Sequence, residues 1–192
     1  MVRSARLGAA VAATCAMVAG CSGADVEQPD QTAGPSQDLR VGSAVWHLPK
    51  TVTPVPRPTD EPTLSGKDAD QFQWTYRGEG TWEGRKVRVF ARPVTEERFA
   101  SDVNAKVRAV AAVGGIPSFS SLGQQDVNVK GASSGQAVQF SYSGSQGSGQ
   151  GLWVTAVQSR TRQGVLVQVA LPGGSADPTM VQKVADSLEL SG

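Results

Sequence analysis

An α+β fold, an antiparallel β-sheet flanked by two helices in the order β-β-α-β-β-β-β-α, is the class predicted for residues 68–192. Three observations predict it. Runs that alternate apolar with polar residues, or stay apolar, recur at 71–76, 86–94, 137–142, 152–158 and 165–171, as half-buried or core strands do. Two stretches repeat apolar residues at spacings of three and four, Phe99 to Ala111 and Met180 to Leu188, the period of a helix with one buried face. Short Gly-containing turns separate the strand-like runs.

The chain begins differently. Arg3 and Arg6 precede an apolar run from Leu7 to Val18, and small residues lead into Val18-Ala19-Gly20-Cys21. A charged n-region, an apolar h-region and a small-residue cleavage site are the parts of a secretory signal. The run is shorter than the roughly 20 residues that cross a bilayer as a helix. The four residues resemble the lipobox of bacterial lipoproteins, which implies residues 1–20 as a cleaved signal and Cys21 as a diacylglyceryl-modified (palmitate-bearing) new N-terminus. Cys15 leaves with the signal, so no intramolecular disulfide is expected. Two acyl chains anchor stably, at about 0.8 kcal/mol per buried methylene. The expected location is therefore the extracytoplasmic face of the cell membrane.

Residues 21–67 are predicted to be a flexible tether. Seven of the eleven prolines fall here, at Pro29, Pro35, Pro49, Pro54, Pro56, Pro58 and Pro62, among Asp, Gln, Ser and Thr, and such a composition buries too little apolar surface to offset chain entropy. One apolar patch, Val41-Gly42-Ser43-Ala44-Val45-Trp46-His47-Leu48, interrupts it. The patch either docks on the domain as a strand or turn, or is a recognition segment; docking is favoured, since an exposed Trp on a tether lacks cover. His47 is the only histidine and has no Cys or second His nearby, so no metal site is expected.

Within the domain, Gln71 to Tyr76 puts Phe72, Trp74 and Tyr76 on one face of a strand. Glu83-Gly84 turns the chain, and Lys86 to Val94 follows with Val87, Val89 and Ala91 inward and Lys86, Arg88 and Arg92 outward, forming a hairpin. The basic row Arg85, Lys86, Arg88 and Arg92 is read as a solvated strand face, with no phosphate loop to make it an anion stripe. Thr95 caps a helix with Glu96 and Glu97 in its first turn, and Gly114-Gly115 ends it. Gln125 to Lys130 is a short strand. Ala137 to Tyr142, Leu152 to Gln158 and Val165 to Leu171 form a meander, the last two joined by Thr161-Arg162-Gln163-Gly164. The Ser/Gly/Gln tip at 143–151 is expected to be mobile. Asp177-Pro178 starts a closing helix with Met180, Val181, Val184, Ala185 and Leu188 on its buried face.

This order, with the closing Val184-Ala185-Asp186-Ser187-Leu188, resembles the PsbP-like superfamily over residues 68–192. The Ala, Gly and Val content, with Arg above Lys, resembles that of actinobacterial proteins, among which small PsbP-like lipoproteins occur. The resemblance implies an antiparallel sheet with flanking helices and an accessory, binding or assembly role without catalytic residues. It transfers no binding residue.

The net charge is +1 and falls to −1 when Arg3 and Arg6 leave with the signal; nucleic acid and a polybasic membrane contact are not indicated as partners. The domain holds no Cys and no His, and no Ser lies in a Gly-x-Ser-x-Gly elbow between strand and helix. A Ser–Lys pair through Lys106, Lys130 or Lys183, and the carboxylates Glu79 and Glu83 beside Trp82, are the remaining catalytic candidates, and a surface turn accounts better for the latter. The expectation is a non-enzyme without cofactor. Two functions remain open: an interaction or assembly module for an envelope protein, which is favoured, and a carrier sheltering a lipid or other apolar ligand between sheet and helix. Phe72, Trp74, Trp82, Phe99 and Trp153, with Phe90, are the candidate lining of the carrier; in simple core packing they would carry no ligand.

Overall fold

The run from Val165 to Leu171 is apolar at nearly every position, and such a strand is stable only when both of its faces and both of its edges are covered. In the computed structural model, which describes residues 35–57, 73–94, 118–144 and 147–191, it lies in the middle of a seven-stranded sheet. The chain divides into two units, Met1–Thr32 and Ala33–Gly192, and every described residue belongs to the second. The signal, Cys21 and the predicted helix after Thr95 lie outside the described residues.

The elements in chain order are β1 (Ser36–Val41), β2 (Ala44–Pro49), β3 (Thr53–Pro54), β4 (Tyr76–Trp82), β5 (Arg85–Val94), β6 (Ser120–Asp126), β7 (Ser134–Gly144), β8 (Gly147–Gln158), β9 (Gln163–Pro172), α1 (Pro178–Asp186) and β10 (Leu188–Leu190). The large sheet has the order β3-β4-β5-β9-β8-β7-β6, and a second sheet has the order β1-β2-β10. All strand pairs are antiparallel. The described fold is therefore mostly antiparallel β with one helix, α1; the other of the two predicted helices falls outside the described residues.

Local chemistry explains the elements that match expectation. Glu83 and Gly84 both take positive φ (51° and 76°), the type I′ geometry whose twist suits a hairpin, and it joins β4 to β5. Strands β7, β8 and β9 form the meander. Asp177 caps α1 by accepting from the Met180 N–H at 2.8 Å, and Pro178 takes the first turn, where its missing N–H leaves no bond unmade.

The structure differs from the sequence-based boundary at 36–54. The stretch assigned to the tether forms three strands, and its hairpin docks on the sheet: Trp46 and Leu48 are wholly buried. Alternation in Leu39, Val41, Ala44, Trp46 and Leu48 overrides the proline content, because Pro49 and Pro54 sit at strand ends, where no ladder N–H is lost. The 71–76 strand starts later than expected, at Tyr76, and the 125–130 strand earlier, at Ser120. The 143–151 tip is largely ladder, paired out to Gly144↔Gly147. Gly151 is needed there because a Cβ would stand 2.5 Å from the Phe140 ring lying over it. Arg92, expected outward, is only 5% exposed.

One face of the large sheet supports the main core. Val87, Val89, Leu152, Val154, Val165, Val167, Val169 and Leu171 meet Trp46, Leu48 and Val52 and the Met180, Val181, Val184 and Ala185 side of α1. The Trp46 indole N–H donates to Ser187 Oγ at 3.0 Å, and Ser187 Oγ donates to the Val184 carbonyl at 2.7 Å. Two ion pairs tie α1 to the β4–β5 hairpin, Arg85 Nη2 to Asp177 Oδ2 at 2.7 Å and Lys183 to Glu83. The backbone bond from Met180, then Arg85, holds the Asp177 carboxyl below its ordinary value.

Trp46→Ala should destabilise the protein by about 3–5 kcal/mol in urea unfolding, the range for deleting a buried aromatic; a loss below about 1 kcal/mol would show the hairpin to be dispensable. Since the Asp177 acid is depressed on folding, its contribution is present above the unfolded carboxyl value and is lost as pH falls through the folded one. Melting temperatures of wild type and Asp177→Asn should accordingly differ at pH 6 and converge below the ordinary carboxylate range; a gap that persists at pH 2 would remove the ionised carboxylate as its cause.

Candidate interaction surface

Side chains alternate across the large sheet, so its register decides which of the candidate residues share a surface. Successive rows on the face opposite the main core read Arg92–Leu166–Thr155–Gln136, then Phe90–Gln168–Trp153–Val138, then Arg88–Ala170–Gly151–Phe140, across β5, β9, β8 and β7. All four buried polar residues among the described ones, Arg92, Gln136, Thr155 and Gln168, lie on this face. The Trp153 indole N–H donates to Gln168 Oε1 at 2.6 Å, which satisfies a buried donor that would otherwise destabilise the strand pair.

Aromatic rings fill the rest of the face. Trp153 and Phe140 have centroids 4.5 Å apart, Phe119 stacks on Trp153 at 5.3 Å, and Tyr142 approaches Phe140 at 6.2 Å. Nearer the other edge, Trp74 packs on Phe90 at 5.5 Å, and the Arg77 guanidinium lies 5.5 Å from the Phe90 centroid. Burial raises the Tyr142 phenol above its ordinary value, and the nearby Arg88 opposes that shift.

The residues proposed from sequence as one lining are thus divided. Trp74, Phe90 and Trp153 stand on this face. Trp82 stands on the other, against Trp46 at 6.4 Å. Phe72 and Phe99 lie outside the described residues. Phe119, Phe140 and Tyr142 were not singled out from sequence, although the alternation of Gln139-Phe140-Ser141-Tyr142 carries the signal for two of them.

The catalytic candidates do not converge. Glu79 Oε1 pairs with Arg88 Nε at 3.0 Å, while Glu83 pairs with Lys183. Lys130 Nζ contacts Glu189 Oε2 at 3.0 Å, and Lys106 lies outside the described residues. The basic row is broken up: Arg85 and Arg88 are in ion pairs, and Arg92 is buried. His47 joins a polar row across the small sheet, with Nδ1 2.7 Å from Asp38 Oδ1 and Nε2 4.0 Å from Glu189 Oε2. Among the described residues no group of three or more His, Cys, Asp or Glu is arranged to hold a metal. No helix among them is long and apolar enough to cross a membrane.

The surface that stands out is β6, the last strand of the large sheet. Its sequence, Ser120-Ser121-Leu122-Gly123-Gln124-Gln125-Asp126, holds weak strand formers, and two anchors hold it: the Phe119 ring before it and the bond from the Val127 N–H to the Gly135 carbonyl, 3.0 Å, after it. Six of its seven residues are exposed. Register slips between Ser121 and Gly123, so Leu122 is the extra residue of a β-bulge. Leu122 is 51% exposed, the one exposed large hydrophobic among the described residues. Antiparallel bonding alternates along a strand. With Val127 bonded to Gly135, Gln125 bonds toward β7, and the backbone N–H groups of Gln124 and Asp126 face the edge that no other described strand pairs.

No protein-family model and no curated protein sequence matches the chain. Among solved structures it is similar to cyanobacterial PsbP (CyanoP) from Synechocystis sp. PCC 6803, at 11% identity and a TM-score of 0.53, over 90% of this chain and 98% of that one. It also matches LpqN of Mycobacterium tuberculosis, described as involved in cell envelope biogenesis, at 15% identity and a TM-score of 0.43, over 82% and 91% of the two chains. The Ran-binding protein Mog1p of Saccharomyces cerevisiae matches at 10% identity and 0.43, over 83% and 86%. At such identities a likeness concerns the fold alone, and only the first is close enough to carry it: the described domain has a PsbP-like fold.

Proposed function

We propose that this chain is a lipid-anchored accessory module of the bacterial cell envelope that holds or assembles a protein partner, with β6 as the contact edge. The observation that carries the reading is Leu122, a large apolar side chain exposed on a sheet edge that no other described strand pairs. Exposed edges are templates for strand pairing, and natural proteins blunt them with Lys, Pro, bulges or cover. Here β6 has the bulge but no Lys, Arg or Pro, and its only charge is Asp126. Such an edge is kept open where something is to bind it.

The anchor is the Cys21 diacylglyceryl group at the extracytoplasmic face, supported by the charged n-region, apolar run and lipobox-like ending of residues 1–21. The reading is non-enzymatic, and it is supported by the candidates among the described residues: Glu79 is paired with Arg88, Lys130 with Glu189, and Glu83 with Lys183. A carrier draws less support, because Trp82 and Trp153 stand on opposite faces of the sheet and do not line one space.

A photoreactive amino acid at position 122, in the chain expressed in its own host, should yield a discrete protein adduct; the same group at Lys86, exposed on β5, should not. An adduct of lipid mass, or none at position 122, would overturn the module reading. Leu122→Ser should shift unfolding free energy by no more than about 0.5 kcal/mol, as for a surface site without a core role. Cys21→Ser should abolish incorporation of labelled palmitate and release the protein from the membrane fraction; retained labelling would remove Cys21 as the anchor.

A further inference from the structure

The exposed edge also bears on what kind of partner fits it. Resting on the reading of β6 as the contact edge, we infer that the partner adds an extended peptide strand to β6, antiparallel, with an apolar residue over Leu122 and a basic residue opposite Asp126. A second copy of this chain fits less well. Paired β6 strands would place Ser, Gly and Gln against one another with only Leu122 as large apolar contact, far short of the roughly 1,200 Å² that a stable interface buries. An added peptide does not need that area, since main-chain bonds supply its affinity and alternate side chains its specificity.

Three features define the peptide. The outward N–H and C=O groups of Gln124 and Asp126 set its register. The sheet is antiparallel throughout, and antiparallel pairing is the more stable form per residue. Asp126 is the only charge on β6, so the facing residue is Lys or Arg, and in antiparallel orientation it stands about four positions ahead of the apolar residue that covers Leu122. The weak strand propensity of β6 fits this role: a strand of weak formers that is paired on one side only gains from a second neighbour.

The test selects a random decapeptide display library against the full chain and counter-screens it on two variants. Gln124→Pro removes an outward N–H at a position where an edge strand tolerates proline, and Leu122→Ser removes the apolar contact; melting temperatures establish that both remain folded. Selected peptides should carry the basic-then-apolar spacing, lose tenfold or more of their binding on Gln124→Pro, and weaken on Leu122→Ser. Peptides that lose binding on Leu122→Ser but not on Gln124→Pro would overturn strand addition while leaving β6 a contact edge. Peptides indifferent to both variants, or none selected, would overturn the inference, and self-association by sedimentation that Gln124→Pro abolishes would assign the edge to a second copy instead. If the position-122 adduct also fails to form in cells, the module reading falls with it.

Discussion

The contact on which the structure depends is Trp46 against the closing segment of the chain. Its indole N–H bonds to Ser187 Oγ, and the next residue's backbone N–H, that of His47, bonds to the Ser187 carbonyl at 2.8 Å. The β1–β2 hairpin, the C-terminal end of α1 and strand β10 therefore meet at one point, joining residues 141 positions apart in sequence. Without this plug the apolar face of β9 and its neighbours would lie open, and no other described element is placed to cover it. The Lys130 carbonyl takes the Leu190 N–H at 2.8 Å, and a Cβ on Gly131 would stand 2.0 Å from the Leu190 carbonyl oxygen. The final strand is threaded through a gap that admits only glycine beside it.

The two faces of the large sheet are built from different chemistry. The face under Trp46 is mostly aliphatic, with the β4 residues Trp82 and Tyr76 at one side, whereas the opposite one mixes rings with the buried polar groups of Arg92, Gln136, Thr155 and Gln168. Buried polar groups are tolerable only when paired, as Gln168 is with Trp153. Each such pair fixes the rotamer and position of both partners, so this face specifies its packing more sharply than aliphatic contacts alone would.

How much of this was legible depended on the distance over which each signal acts. The β4–β5 hairpin, the meander and the start of α1 are governed by neighbours within a few residues: the turn at Glu83-Gly84, the apolar run at Val165 and the Asp177-Pro178 cap. The docking of β2 was legible from Trp46 and its apolar patch, whereas the extent of the β1–β2 hairpin was not, because the proline content of 21–67 outweighs an alternation confined to 36–48. Strand β6 carries no alternation, since Ser, Gly and Gln are polar on both sides. Strand β10 is only three residues long, too short for any period to show. The division of Trp82 from Trp153 was beyond reach, because which face a residue takes relative to another strand follows from strand order and register, not from either strand's own pattern. Leu122 was missed for a related reason: one leucine in a polar stretch becomes informative only once the stretch is known to be an edge.

That edge lies where the fold has least need of it. The large sheet ends in the two-residue β3 on one side and in β6 on the other, and the N-terminal hairpin packs over the main-core face rather than near β6. Strand β6 contributes no residue to either buried cluster; its neighbours Phe119 and Val127 do so in its place, as partly buried residues at its two ends. Sequence change along 120–126 is thus decoupled from the packing of the core. The weak strand propensity that conceals β6 follows from the same separation, because residues exposed on both sides of a strand carry no pattern that burial would impose.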